Sequence, residues 1–226
     1  ADHLAEAAQR ATARSGLKVT TSVLGGSVSD PWAIAESIQA SVEATHADLV
    51  VMTTRARGLV SRVGLGSVAD QLVRRSHVPV LLVGQGEADG NPAVRPLASF
   101  LVLLDGSALS EQILDPAFDL AALQGARCTL LRVVATEDDV AAAEAYLAPL
   151  AAARRTAGVE VDVEVVVGRN PGDAILSAAR RHDSDLIALA TRGWGGFKRL
   201  VLGSVADTLV QRAQRPILVR CPTPPA

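Results

Sequence analysis

Short apolar runs alternate with longer amphipathic stretches along the chain. Residues 49–52 and 186–189 are apolar runs bounded by polar residues, the pattern of a strand buried on both faces of a parallel sheet. A Gly- and Arg-rich loop follows each run. A helix is then predicted to open at Ser67 and at Ser204, with the serine hydroxyl as its N-cap. Pro79 and Pro216 stop these helices and lead into short strands at 80–83 and 217–219. Between the two sets, the pattern predicts strands at 100–104 and 128–134 and helices at 110–123, 140–157 and 171–181. Pro116 is expected to interrupt the first turns of the earliest of these helices. Residues 161–167 alternate valine with acids, which predicts a half-exposed strand. This alternation of strand and helix is that of a doubly wound parallel sheet.

The pattern occurs twice because the sequence does. Asp48 to Leu82 aligns without a gap on Asp185 to Val219, with LGSVAD identical at 65–70 and 202–207. The chain is therefore an internal duplication. Its first repeat spans 1–84 and its second, complete repeat spans 97–226, joined through a Gly- and Pro-rich stretch after Gly84. In the first repeat a helix at 4–14, a strand at 18–24 and a helix at 31–45 precede the aligned block. Counterparts of residues 98 to about 142, two strands and a helix, are absent from it. The strand at 18–24 then has no neighbour connecting it to the strand at 49–52, so its edges would be unpaired. Either upstream residues are missing from this chain or another chain supplies those strands.

Composition narrows the functional classes. Hydrophobic residues make up 49% of the 226 and aromatic residues only 3%, so the core must be built of Ala, Val and Leu. A net charge of −2 provides no basic field for nucleic acid or an anionic membrane. No apolar run reaches the ~18 residues needed to span a bilayer. The opening ADHLAEAAQR lacks the marks of a signal peptide, so a cytoplasmic location is expected. Cys128 and Cys221 form no CxxC pair and read as a core thiol and a tail thiol. His3, His46, His77 and His182 are scattered on helices or their ends and form no metal-ligand spacing. No catalytic constellation emerges.

Chemistry is concentrated in one loop of the second repeat. It leaves the C-terminal end of strand 186–189, where open α/β sheets bind ligands. Gly193, Gly195 and Gly196 permit close backbone approach. Gly203-Ser204 opens a helix whose free N–H groups and dipole favour an anion. Arg192 and Lys198 add positive charge. Asp105, in LVLLDGS, ends the first strand of this repeat at the same sheet edge.

With LVLLDGS at 101–107, DLIALATRG at 185–193, LGSVAD at 202–207 and RPILV at 215–219, the chain resembles a tandem universal stress protein over essentially its whole length. The resemblance implies two α/β units of strand order 3-2-1-4-5, the first incomplete at its N-terminus. The family's nucleotide-binding members carry G-x2-G-x9-G-[ST]. Here that register falls on Ala190, Gly193, Gly203 and Ser204, with alanine replacing the first glycine. By resemblance, Asp105 faces the adenine, Val133 lines the base pocket, and Ala190, Arg192, Gly193, Gly203, Ser204 and Val205 surround the ribose and phosphates. In the first repeat the register falls on Thr53, Ala56, Gly66 and Ser67, so weak or no nucleotide binding is expected there. The resulting expectation is a stress-response protein holding ATP, with Mg²⁺ accompanying the phosphates, and at most slow ATP hydrolysis because no general base is apparent. The alternative is a nucleotide-free scaffold in which the tandem repeat forms a dimer-like platform. Resemblance further implies that the last strands, 80–83 and 217–219, pair antiparallel within the chain; further homo-oligomerisation is left open.

Overall fold

The computed structural model describes residues 2–24, 30–54, 66–84, 97–191 and 203–221. The first repeat runs α1 (Asp2–Ser15), α2 (Pro31–Thr45), β1 (Val50–Thr54), α3 (Ser67–Arg75) and β2 (Val80–Gly84). The second runs β3 (Ser99–Leu103), α4 (Ala108–Glu111), α5 (Leu114–Gln124), β4 (Arg127–Val134), α6 (Val140–Thr156), β5 (Val161–Val167), α7 (Pro171–Arg181), β6 (Leu186–Ala190), α8 (Ser204–Arg212) and β7 (Ile217–Arg220). Pro116 falls in the first turn of α5, where a missing N–H costs nothing. Asp30 and Asn170 cap α2 and α7, each followed by a proline at the first helical position.

All seven strands form one sheet in the order β1-β2-β7-β6-β3-β4-β5. Within the second repeat this is 3-2-1-4-5, every neighbour parallel. The two repeats meet at β2 and β7, which pair antiparallel with Val80 opposite Val219, Leu81 opposite Leu218 and Leu82 opposite Ile217. The two α/β units therefore share a single continuous sheet. Arg220 donates to the His77 carbonyl across the junction, and the Cys221 thiol donates to the Arg74 carbonyl at 3.1 Å.

Each face of the sheet carries its own core. Leu101, Ile187 and Val219 pack with Val73 of α3, Ile175 of α7 and Leu209 of α8 on one face. Phe100, Leu130 and Leu218 pack with Phe118 of α5 and Leu147 of α6 on the other. Both cores include first-repeat residues, Val80 and Leu82 in one and Leu81 in the other. Cys128 lies buried in β4, and burial pushes its thiol up to about 12.

Two expectations are corrected here. Residues 18–24 form no strand. A strand is made by its ladder, and the strands that would flank this one are not in the chain; Leu17 and Val23 are 68% and 81% exposed instead. Ser67 and Ser204 are not N-caps. Gly66 and Gly203 take that position with extended backbone and no side-chain bond, and each serine is the first helical residue. The glycine carbonyls accept the first helical bonds, from Asp70 and Asp207.

Candidate functional site

Three strand ends and two helix starts converge at the carboxyl edge of the second repeat. The chain leaves β3 for β4 on one side and β6 for β7 on the other, so the β3–β6 boundary is the switch point of the sheet. A cleft of about 320 Å³ opens there. Leu103, Leu104 and Asp105 contribute from β3 and its exit, Leu131 and Val133 from β4, and Leu189, Ala190 and Thr191 from β6 and its exit. Pro171 and Ile175 of α7 form one wall, and Gly203 with Ser204, Val205 and Ala206 of α8 form another.

Six of the eight residues singled out in the sequence thus line one cleft: Asp105, Val133, Ala190, Gly203, Ser204 and Val205. Arg192 and Gly193, with Gly195, Gly196 and Lys198, lie outside the described residues. The remaining lining residues, Leu103, Leu104, Ser110, Leu131, Pro171, Ile175, Leu189, Thr191 and Ala206, were not singled out in the sequence. Pro171 and Ile175 carry a readable signal, since α7 begins at the edge where β6 ends. Leu131 is two residues from Val133 and so faces the same way along β4.

The Asp105 turn is held in detail. Asp105 Oδ1 accepts from the Ser107 N–H at 2.9 Å and the Ser107 hydroxyl at 2.6 Å. The Asp105 N–H donates to Ser110 Oγ at 3.3 Å, and that hydroxyl donates to the Ser107 carbonyl at 2.7 Å. Gly106 adopts φ +90, which a side chain would strain. Asp105 is the one ionisable side chain among the described lining residues.

Gly203 presents a different situation. Its φ of −51 is open to any residue, and no described atom lies within 4 Å of where a Cβ would stand. The fold itself does not demand glycine here. Instead the position keeps the space before the α8 N–H groups clear, at the positive end of the helix. Gly66 has the same freedom, φ −56 and nothing within 4 Å among the described residues. It has no matching walls, because β1 pairs only with β2 in the described sheet and nothing there takes the place of β3.

Sheet order, cleft and helix start together define a doubly wound α/β protein with an open cleft at its switch point. The chain belongs to the universal stress protein family, whose model matches residues 1–84 and 98–220. It is 31% identical over 196 residues to a universal stress protein of Mycobacterium tuberculosis H37Rv, covering 79% of this chain and 60% of that one. A universal stress protein of Mycolicibacterium smegmatis is 29% identical over 185 residues, covering 76% of this chain and 61% of the relative. The chain thus spans about three fifths of the length of these curated relatives. Among solved structures, a universal stress protein from Archaeoglobus fulgidus superposes with a TM-score of 0.74 at 24% identity, covering 96% of this chain and 76% of that one. A putative universal stress protein from Pseudomonas aeruginosa gives 0.68 at 17% identity, covering 98% and 78%. These two likenesses concern the fold.

No described helix is long and apolar enough to cross a membrane. Among the described residues no group of three or more His, Cys, Asp or Glu is placed to hold a metal ion.

Proposed function

We propose that the second repeat binds an adenine nucleotide, ATP in the first instance, in the cleft between the ends of β3 and β6. The observation that carries this reading is the convergence of Asp105, Val133, Ala190 and the Gly203-Ser204 helix start on one cleft at the switch point. Leu131, Val133, Ile175 and Leu189 offer apolar walls for a flat base. The Asp105 carboxylate accepts hydrogen bonds from an adenine amine or a ribose hydroxyl. The open N–H groups of α8 receive phosphate oxygens, and Gly203 leaves room for them. A volume of about 320 Å³ is at the lower end of the ~300–1,000 Å³ usual for ligand sites. Mg²⁺ would enter with the phosphates, since this ion is commonly held by substrate phosphates and water. Arg192 and Gly193 belong to the same reading by their motif positions. The role is one of binding in a cytoplasmic stress response, with at most slow hydrolysis.

The second reading, a nucleotide-free scaffold, draws on the antiparallel β2–β7 pairing, which gives the chain a dimer-like platform. Thermal unfolding with ATP, ADP and AMP separates the two. A ligand that binds only the folded state at 100 times its Kd adds about 2.7 kcal/mol, so Tm rises with nucleotide concentration. Absence of a shift with all three nucleotides overturns the nucleotide reading in favour of the scaffold.

A further inference from the structure

Strand β4 carries one charged side chain inside its apolar run, Arg132, between Leu131 and Val133. Those two neighbours line the cleft. Arg132 must therefore project from the opposite face of the sheet, the face on which Leu130 packs against α5 and α6. There its guanidinium lies flat beneath the turn that follows β3. A Cβ on Gly106 would stand 2.7, 2.9 and 3.0 Å from Nη2, Cζ and Nη1 of Arg132. Three guanidinium atoms at nearly equal distance mean that the face of the group, not an edge, fills the space a Gly106 side chain would need.

Arg132 Cζ lies 5.1 Å from the centre of the Tyr146 ring on α6, within cation–π range. The Tyr146 hydroxyl donates to Glu111 Oε1 at 2.9 Å. Burial, then this bond to a carboxylate, pushes the Tyr146 hydroxyl up to about 12, so it remains a donor. Glu111 follows Ser110, whose hydroxyl accepts the Asp105 N–H. The contacts close a ring around one turn: Arg132 beside Gly106, Tyr146 near Arg132, Glu111 on Tyr146, and Ser110 back to Asp105. Among the described residues Arg132 forms no ion pair, so its plane is spent on this stack.

We propose that Arg132 is a positioning residue for the nucleotide site: it is the floor on which the Asp105–Gly106 turn rests, and it thereby fixes where the Asp105 carboxylate meets the ligand. This assignment rests on the nucleotide reading of the cleft. It requires arginine rather than lysine, because an ammonium has no plane to lay against a turn while also lying over a ring.

The test is a double-mutant cycle on the whole chain, with ATP affinity read by calorimetry and Tm read without nucleotide. Arg132→Lys, which keeps the charge and the stem, guards against a variant that fails to fold; Arg132→Met removes charge and plane. Each is expected to weaken ATP binding about tenfold, and neither is expected to weaken it further in an Asp105→Ala background, because residues acting through one group are not additive. An equal loss with and without Asp105 means that Arg132 supports the fold only, and overturns the proposal. Unchanged affinity in both Arg132 variants overturns it too. If the unaltered chain binds no ATP, the nucleotide reading fails and the assignment falls with it.

Discussion

The Gly66-Ser67 and Gly203-Ser204 helix starts are nearly the same object locally. Both glycines are extended, with φ and ψ of −56 and 148 in one and −51 and 149 in the other. Both precede nine-residue helices whose apolar side enters the same core, through Val73 at 1% exposure in one and Leu209 at 0% in the other. They differ in what stands across from them. Gly203 faces the ends of β3 and β4 and the start of α7, while β1 has β2 on one side and no described strand on the other. A helix terminus that attracts an anion is made by about four consecutive residues. A cleft that holds a nucleotide is made by strands that are distant in sequence and adjacent only in the sheet.

The largest expected effect compares paired strand positions. Val51 on β1 is 59% exposed, and its aligned partner Ala188 on β6 is fully buried. Ala188→Asp is expected to cost several kcal/mol by burying an unpaired carboxylate, whereas Val51→Asp should stay within about 0.5 kcal/mol. Urea midpoints measure both; equal costs would show that the β1 face is covered in solution. Next comes the pair of glycines. Gly203→Val should weaken ATP binding about 100-fold, ~2.7 kcal/mol, and Gly66→Val should leave it unchanged. Both variants lose a similar small amount of helix stability at the cap, so a Tm comparison separates folding from binding. Equal losses of affinity would place a working site in each repeat.

The smallest effect is a pH dependence confined to the second repeat. Burial alone would raise the Glu164 carboxyl, but hydrogen bonds from Arg181 and His182 outweigh it and hold the group below its ordinary 4.5. His182 Nε2 lies 2.6 Å from Glu164 Oε2. A depressed carboxyl stabilises the fold above its unfolded-state value, and this contribution is lost as pH falls through the lower folded value. Denaturation midpoints of the unaltered chain should therefore drop below about pH 4.5 more steeply than those of Glu164→Gln. At the repeat offset the partner His182 falls on Thr45, so the first repeat has no equivalent histidine and a Thr45 variant should leave the profile alone. Superimposable profiles for Glu164→Gln and the unaltered chain would remove Glu164 as the source.

What the sequence reveals follows the range over which each feature is made. Helices α2, α7 and α8 start at the predicted residues because prolines, caps and the repeat itself mark them within a few positions. The β2–β7 pairing is legible through resemblance, and the two strands are found antiparallel as expected. The strand expected at 18–24 fails because its apolar pattern is local while its ladder is not. The serine caps fail for a finer reason: glycine and serine both suit that position, and only backbone angles distinguish them. Arg132 was passed over since a lone charge in an apolar run gives no hint that its partner is a glycine in another turn.

The antiparallel junction of β2 and β7 also governs the order of assembly. Val80 is synthesised before Val219 and meets it only after the intervening strands of the second repeat have emerged. Until then Leu81, 8% exposed in the finished molecule, sits on a bare apolar strand edge open to any strand from another molecule. Pairings so distant in sequence form slowly. In the interval before β7 arrives, residues 80–84 are thus a segment that a chaperone would shield.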